Sequence, residues 1–194
     1  MHKIATASPL DGPHRLSLAC ADHPAARDAV PAAQFTSTMS TLASSVSVVT
    51  AAVGGARHGR TVTALLSLSA EPPAILVSIT RDSELAQAIE DARAFSVAVL
   101  AEDQGAIADA FAGFGPADRF IAGNWETWPS GQPRLTGAIA TLDCALAGTI
   151  AMDTHLLFAG VVIHTRTHPD RRPLLWHRRA YAGLDAASAS TQPG

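Results

Sequence analysis

Strand-like runs crowd this chain between about residues 45 and 182, and helical runs do not alternate with them. The run SVSVVTAAV, residues 45–53, alternates and is rich in β-branched residues, which suits a strand. Gly54-Gly55 then reads as a hairpin turn, because glycine tolerates the positive φ that such turns need. RTVTALLSLS reads as one strand or extended segment, stopped by Pro72-Pro73. AILVSIT is short and almost wholly apolar, which predicts a strand buried on both faces. AFSVAVL, AIATLDCALAGTIA and HLLFAGVVIHTRTH add further strands, and PLLWHRRAY closes the domain. Three short helices interrupt them. Phe35, Met39 and Leu42 have helical spacing; SELAQAIEDA would bury Leu85 and Ile89, and QGAIADAFAG would bury Ile107 and Phe111.

Such a pattern predicts a mainly β fold, a β-barrel with a few helices, in one domain over residues 33–185. It disfavours a doubly wound sheet, and no GxGxxG follows the first strand. Residues 1–32 lack a sustained period and read as a poorly ordered arm; residues 186–194 read as a solvated tail.

Composition narrows the function classes. The chain is 47% hydrophobic and 16% charged, enough apolar material for a core and too little charge for disorder. Its net charge of -3 comes without a basic block, so nucleic acid is not expected as a partner. No apolar run approaches the roughly 20 residues of a membrane span. LSLAC, ending at Cys20, resembles a lipoprotein cleavage site, but Pro9, Asp11, Pro13, His14 and Arg15 interrupt any signal core, so a cytoplasmic location is expected. Cys20 and Cys144 lie far apart outside any CxxC, which supports neither zinc nor a disulfide framework.

Residues 58–83 carry the most chemistry. Thr61, Thr63, Ser67 and Ser69 alternate, and their small side chains would let a planar ring approach the backbone, whose polar groups can bond the ring edge. Ser83 opens a helix, whose free N–H groups suit an anion. On spacing alone the same residues read more readily as a solvent-facing row and an ordinary cap. His155 sits between a loop and a strand, where it could bond a substrate amide or phosphate or be a plain turn histidine. Arg119, and the group Arg178, Arg179 and Tyr181, could meet phosphates or simply be solvated. Trp125 and Trp128 would anchor a loop.

Taken in order, SVSVVTA, HGRTVTALLSLSAEPPAILVSI, Ser83, FSVAVLAEDQ, FAG with DRF, GQPRL, DTHLLFAGVV and PLLWHRRAY resemble the flavin reductase family, with an FMN-binding split-barrel fold, which includes the small reductase components of two-component flavin monooxygenases. The resemblance runs from about Phe35 to Leu184. It implies an NAD(P)H:flavin oxidoreductase using FMN or FAD, with NADH or NADPH as co-substrate. It further implies a homodimer that completes its site at the subunit interface and delivers reduced flavin to a monooxygenase by diffusion. The implied ring site is Thr61, Val62, Thr63 and Ala64; the flavin chain and phosphate would pass Ser67, Leu68, Ser69, Ser78 and Ile79 to Ser83. His155 would meet the nicotinamide as the catalytic-site histidine, with Tyr181 near the same opening. Three positions depart from the family pattern. Ser44-Ser45 replaces a common glycine, MDTH replaces GDH, and Asp82 and Glu84 flank Ser83, which leaves Arg81 or Arg119 to supply positive charge. A flavin-binding electron carrier or sensor, or a heme- or deazaflavin-binding split-barrel protein, is the competing expectation.

Overall fold

The computed structural model describes residues 14–184. Thirteen strands run in chain order: β1 (His14–Ser17), β2 (Ser44–Ser45), β3 (Ser47–Val53), β4 (Ala56–Val62), β5 (Leu65–Ala70), β6 (Pro73–Thr80), β7 (Ala94–Val99), β8 (Trp125–Thr127), β9 (Pro133–Leu135), β10 (Ala140–Ala151), β11 (His155–Thr167), β12 (Leu175–His177) and β13 (Ala180–Ala182). The helices are α1 (Ala32–Met39), α2 (Glu84–Ala92) and α3 (Gly105–Asp109), the last continuing into a π-turn over Ala110–Phe114.

The main sheet follows the path β4-β3-β7-β10-β11-β6-β5. The long strand β10 pairs with β7 through its first half and, in parallel, with β1 through its end. Residues 14–17 of the expected arm are therefore strand; the remainder up to residue 13, and the tail beyond residue 184, lie outside the described residues. The path is open, yet its end strands β4 and β5 are joined covalently through Thr63-Ala64. The hairpin at Gly54-Gly55 forms as expected, with φ of 58° and 84°.

Helix α2 packs on β3, β4, β6 and β7 and fills the concave side of the sheet. Its Leu85 and Ile89 are buried as expected, alongside Val49, Val77, Phe95 and Phe158. Each such aliphatic side chain contributes about 1.5–3 kcal/mol. On the other face of β3 and β7, Val46, Val48 and Ala98 meet Ile107, Phe111 and Phe120. Phe111, Phe120 and Trp125 form an edge-on aromatic cluster with centroids 4.9–5.3 Å apart. This second layer explains why β3 is buried on both faces over Ser47–Ala51 although its sequence alternates.

Two expectations need correction. RTVTALLSLS is not one strand: the ladder breaks at Thr63-Ala64, so Thr61 ends β4 while Ser67 and Ser69 belong to β5. β6 is not buried on both faces: Ile75, Val77 and Ile79 point into the core while Leu76 and Ser78 stay half-buried, because no layer among the described residues covers that side. The stripe Phe35, Met39 and Leu42 also packs little; each side chain is about half exposed, and only Phe35 and Met39 belong to α1.

Candidate functional site

The exit of β6 and the start of α2 build the first element. Ser83 caps α2: its Oγ accepts from Ala86 N at 3.2 Å and donates to the Thr80 carbonyl at 2.7 Å. Such a cap stabilises by about 1 kcal/mol. The first bond along the helix runs from Gln87 N to the Ser83 carbonyl, so the amides of Glu84 and Leu85 precede it and point outward from the helix start. Both residues line a cleft of about 350 Å³, together with Ser83, Gly59 and Arg119.

Arg119 is placed by a short turn, Arg119–Ile121, capped by Asp118, whose Oδ1 accepts from Phe120 N at 3.0 Å. Its guanidinium donates to the Gly59 carbonyl at 2.9 Å and keeps other N–H groups for the cleft. Arg57 lies over the Phe120 ring, 4.3 Å from its centroid, and His58 meets Glu84 at 3.4 Å. Gly59 is required by close approach: a Cβ there would stand 2.5 Å from Phe111 Cε1. The cleft thus joins a helix N-terminus and three arginines, Arg57, Arg60 and Arg119, to three carboxylates, Asp82, Glu84 and Asp118. Asp118 is committed to its cap and Glu84 lies against His58, so an anion such as phosphate would be met by the helix amides and Arg119.

The remaining sequence-singled residues fall on either side of this cleft. Thr61 donates its hydroxyl to the Ala108 carbonyl at 2.6 Å, which ties β4 to α3. Val62 is half-buried, and Thr63 and Ala64 are exposed in the break between β4 and β5. The break is drawn in by Leu65 N donating to Thr63 O and by Ser78 N donating to Ala64 O. Ser67, Leu68 and Ser69 lie exposed on β5, the last strand of the path, whose outer edge is free of ladder partners among the described residues. The side chain of Ile79 is in the core, so only its backbone faces any ligand; Ser78 is half-buried. Arg81 bonds the Met152 carbonyl, and its buried Nε has no partner.

His155 is exposed at the start of β11, directly opposite Thr80, with Nδ1 2.9 Å from Thr154 Oγ1. It therefore stands beside the β6 exit that leads to Ser83. Tyr181 is elsewhere: its hydroxyl donates to Asp109 Oδ1 at 2.7 Å, and its ring packs on Trp176. Burial, then the Asp109 hydrogen bond and its charge, push this phenol up to about 12. No described contact brings Tyr181 to His155 within the protomer. Arg178 and Arg179 take positive φ in the β12–β13 turn, away from the cleft's lining. Cys144 is fully buried; burial and the neighbouring Asp143 push its thiol up to about 12, so it is an inert packing residue.

Sequence reasoning missed Arg57, His58, Gly59 and Arg60. Only a glycine inside a strand pattern hinted at them, since such a glycine marks close approach of another group.

An open β sheet packed on one helix, with a polar cleft at that helix's start, defines a mainly β protein. Comparison with known proteins makes the class specific. Residues 39–185 match the flavin reductase like domain, and the chain belongs to that family. It is 39% identical over 164 residues to an NADH:riboflavin 5'-phosphate oxidoreductase of Streptomyces pristinaespiralis, covering 83% of this chain and 92% of the relative. It is 35% identical over 159 residues to the reductase component of an FADH(2)-dependent resorcinol hydroxylase of a Rhizobium species, covering 80% and 89%. Among solved structures, the NADH:FAD oxidoreductase SgcE6 of Streptomyces globisporus C-1027, in complex with NAD and FAD fragments, superposes with a TM-score of 0.75 at 27% identity, covering 80% of this chain and 94% of that one. Among the described residues no helix is long and apolar enough to cross a membrane.

Proposed function

We propose that this chain is an NAD(P)H-dependent flavin reductase that transfers hydride to FMN or FAD and supplies the reduced flavin to a partner monooxygenase. The observation that carries the reading is the cleft joining the Ser83-capped start of α2 to Arg119, at one end of the small-residue segment Thr61–Ala64. The cleft fits the phosphate of a flavin nucleotide: it offers unpaired helical amides and a guanidinium already fixed to Gly59. Gly59 lets the strand lie against Phe111, which sets the height of the carbonyl that holds Arg119. Bound flavin supplies the chemistry, accepting hydride without a protein acid or base.

The protein's part is positioning. Arg119 and the amides of Glu84 and Leu85 hold the phosphate, and Ser83, whose hydroxyl is committed to Thr80 and Ala86, fixes the helix start that presents those amides. The backbone of Thr63 and Ala64, with Ser67, Leu68, Ser69 and Ser78, holds the ring and chain, and the Ile79 contribution is through its backbone. Thr61 and Val62 set the strand end against which the ring lies. His155 orients the nicotinamide nucleotide from beside the β6 exit, a role that requires no proton at its ring.

The active form is a homodimer. Leu66 and Leu68 on edge strand β5 are 56% and 48% exposed, and a second copy covering that edge would enclose the ring site. Tyr181, remote from His155 in its own protomer, would reach the nicotinamide opening only across such an interface. The split-barrel domain expected over residues 33–185 corresponds to this sheet, whose end strands β4 and β5 connect through Thr63-Ala64, with α2 packed against it. A cytoplasmic location suits a consumer of NAD(P)H with a free buried thiol.

Equilibrium titration of FMN tests the site. Arg119→Ala should weaken binding about ten- to a hundred-fold, as expected for a lost hydrogen bond to a charged group. Ser83→Ala should weaken it less and also lower stability by about 1 kcal/mol through the lost cap. Unchanged dissociation constants in both variants would mean the phosphate lies elsewhere.

A further inference from the structure

A second cleft, of about 320 Å³, shares no residue with the first and is lined by Thr127, Trp128, Arg134, His164 and Arg166 among others. Its wall holds a buried carboxylate. Asp143 on β10 is fully buried; its Oδ1 accepts from Ser130 Oγ at 2.7 Å, and its Oδ2 lies 3.1 Å from Nδ1 of His164. His164 stands directly across the β10–β11 ladder from Asp143. The Ser130 hydroxyl accepts from Gln132 N at 3.3 Å, so its hydrogen is turned to the carboxylate.

A carboxylate only accepts, so Nδ1 of His164 carries a proton. The ring is also held on its face, stacked on Trp128 with centroids 6.0 Å apart and planes 16° from parallel. Trp128 is itself fixed by donating Nε1–H to Ser96 Oγ at 3.0 Å. With one edge and one face committed, the opposite ring edge, Nε2, is the part of this half-exposed side chain left for the cleft. Two arginines accompany it. Arg134 lies over Trp128, 5.1 Å from its centroid, and pairs with Glu126. Arg166 is exposed, and among the described residues its side chain has no hydrogen-bond or ion-pair partner. A buried carboxylate that fixes one histidine is a poor way to stabilise a sheet, since an apolar pair of similar volume does as well or better. Orientation of His164 toward a ligand accounts for it.

We propose that this cleft is a binding site for a phosphate group, held by Arg166 and Arg134 with Nε2 of His164 as the third contact. The histidine selects phosphate over carboxylate. Neutral His164 presents a lone pair that accepts from a P–O–H, and protonated His164 donates to a P–O⁻; a carboxylate at neutral pH has no hydrogen to offer the neutral ring. The group can be free phosphate or the monoester of a nucleotide.

The test follows the imidazole resonances of His164 by NMR in the full chain, with FMN at one equivalent per chain so that the first cleft is filled and no free monoester remains, at constant ionic strength. Inorganic phosphate should produce a saturable shift of His164. Arg166→Ala should weaken the response about tenfold or more, the effect of losing one charge-assisted contact. Arg166 has no partner to lose, so this variant should fold. His164→Asn keeps a donor for Asp143 while removing Nε2; it should abolish binding measured by calorimetry, with flavin reduction unchanged. Adenosine 5'-monophosphate binding more tightly than inorganic phosphate would make a nucleotide ester the source; equal binding would make it free phosphate. Absence of saturation, an equal response to acetate, or unchanged affinity in both variants would overturn the proposal.

Discussion

The two ends of the segment between β4 and β6 behave differently. At the α2 end every element is anchored within one chain: Ser83 is bonded on both sides, Arg119 is tied to Gly59, and Gly59 packs on Phe111. At the β5 end the strand is an edge, only Leu65 packs on the core, and Leu66 and Leu68 face solvent. A phosphate pocket must be rigid before ligand arrives, because its selectivity rests on fixed donors. A ring site can be left half-built if a second subunit finishes it. On the proposed reading, affinity for the anion belongs to the protomer, whereas enclosure of the ring belongs to a dimer.

The largest effect should come from breaking the rigid end. Gly59→Val places side-chain atoms where Phe111 already stands, and overpacking of this kind costs about 1–3 kcal/mol or more. A thermal melt should fall by roughly 2–10 °C at any protein concentration. An unchanged Tm would show that the Gly59–Phe111 contact yields easily. Next in size, Leu66→Asp with Leu68→Asp should leave the melt within about 2 °C but shift the sedimentation profile from dimer to monomer and raise the KM for flavin. If both profiles match the parent, β5 is not the interface and the contrast between the two ends fails. The smallest effect belongs to His155→Ala. It should raise the KM for the nicotinamide nucleotide several-fold while flavin binding stays intact. A large fall in kcat with a changed pH profile would instead assign His155 a proton-transfer role.

Much of this arrangement was legible in the residues themselves. The Gly54-Gly55 hairpin, the α2 core residues Leu85 and Ile89 and the Ser83 cap depend on local chemistry, and they form where the pattern put them. What escaped was set by distant packing. The break at Thr63-Ala64 carries no glycine or proline; it arises because β4 pairs with β3 while β5 pairs with β6 at the other end of the path. Arg57 and Arg60 joined the cleft because the DRF turn folds back on β4 from about 60 residues away, which no local spacing encodes. The exposed face of β6 escaped for the same reason, since a wholly apolar run does not reveal which side will lack a covering layer. The placement of His155 opposite Thr80 depends on the β6–β11 register, whereas its position at the start of a strand was readable.

The account stands most directly on turnover. Purified protein should oxidise NADH or NADPH in steady state when FMN or FAD is supplied in excess, measured with all four pairings of nucleotide and flavin. Catalytic consumption far exceeding one nucleotide per protein is expected in at least one pairing, with a rate that depends on free flavin. Flavin binding with no turnover in any of the four pairings would contradict it, and would make the chain a flavin-binding carrier or sensor on this fold.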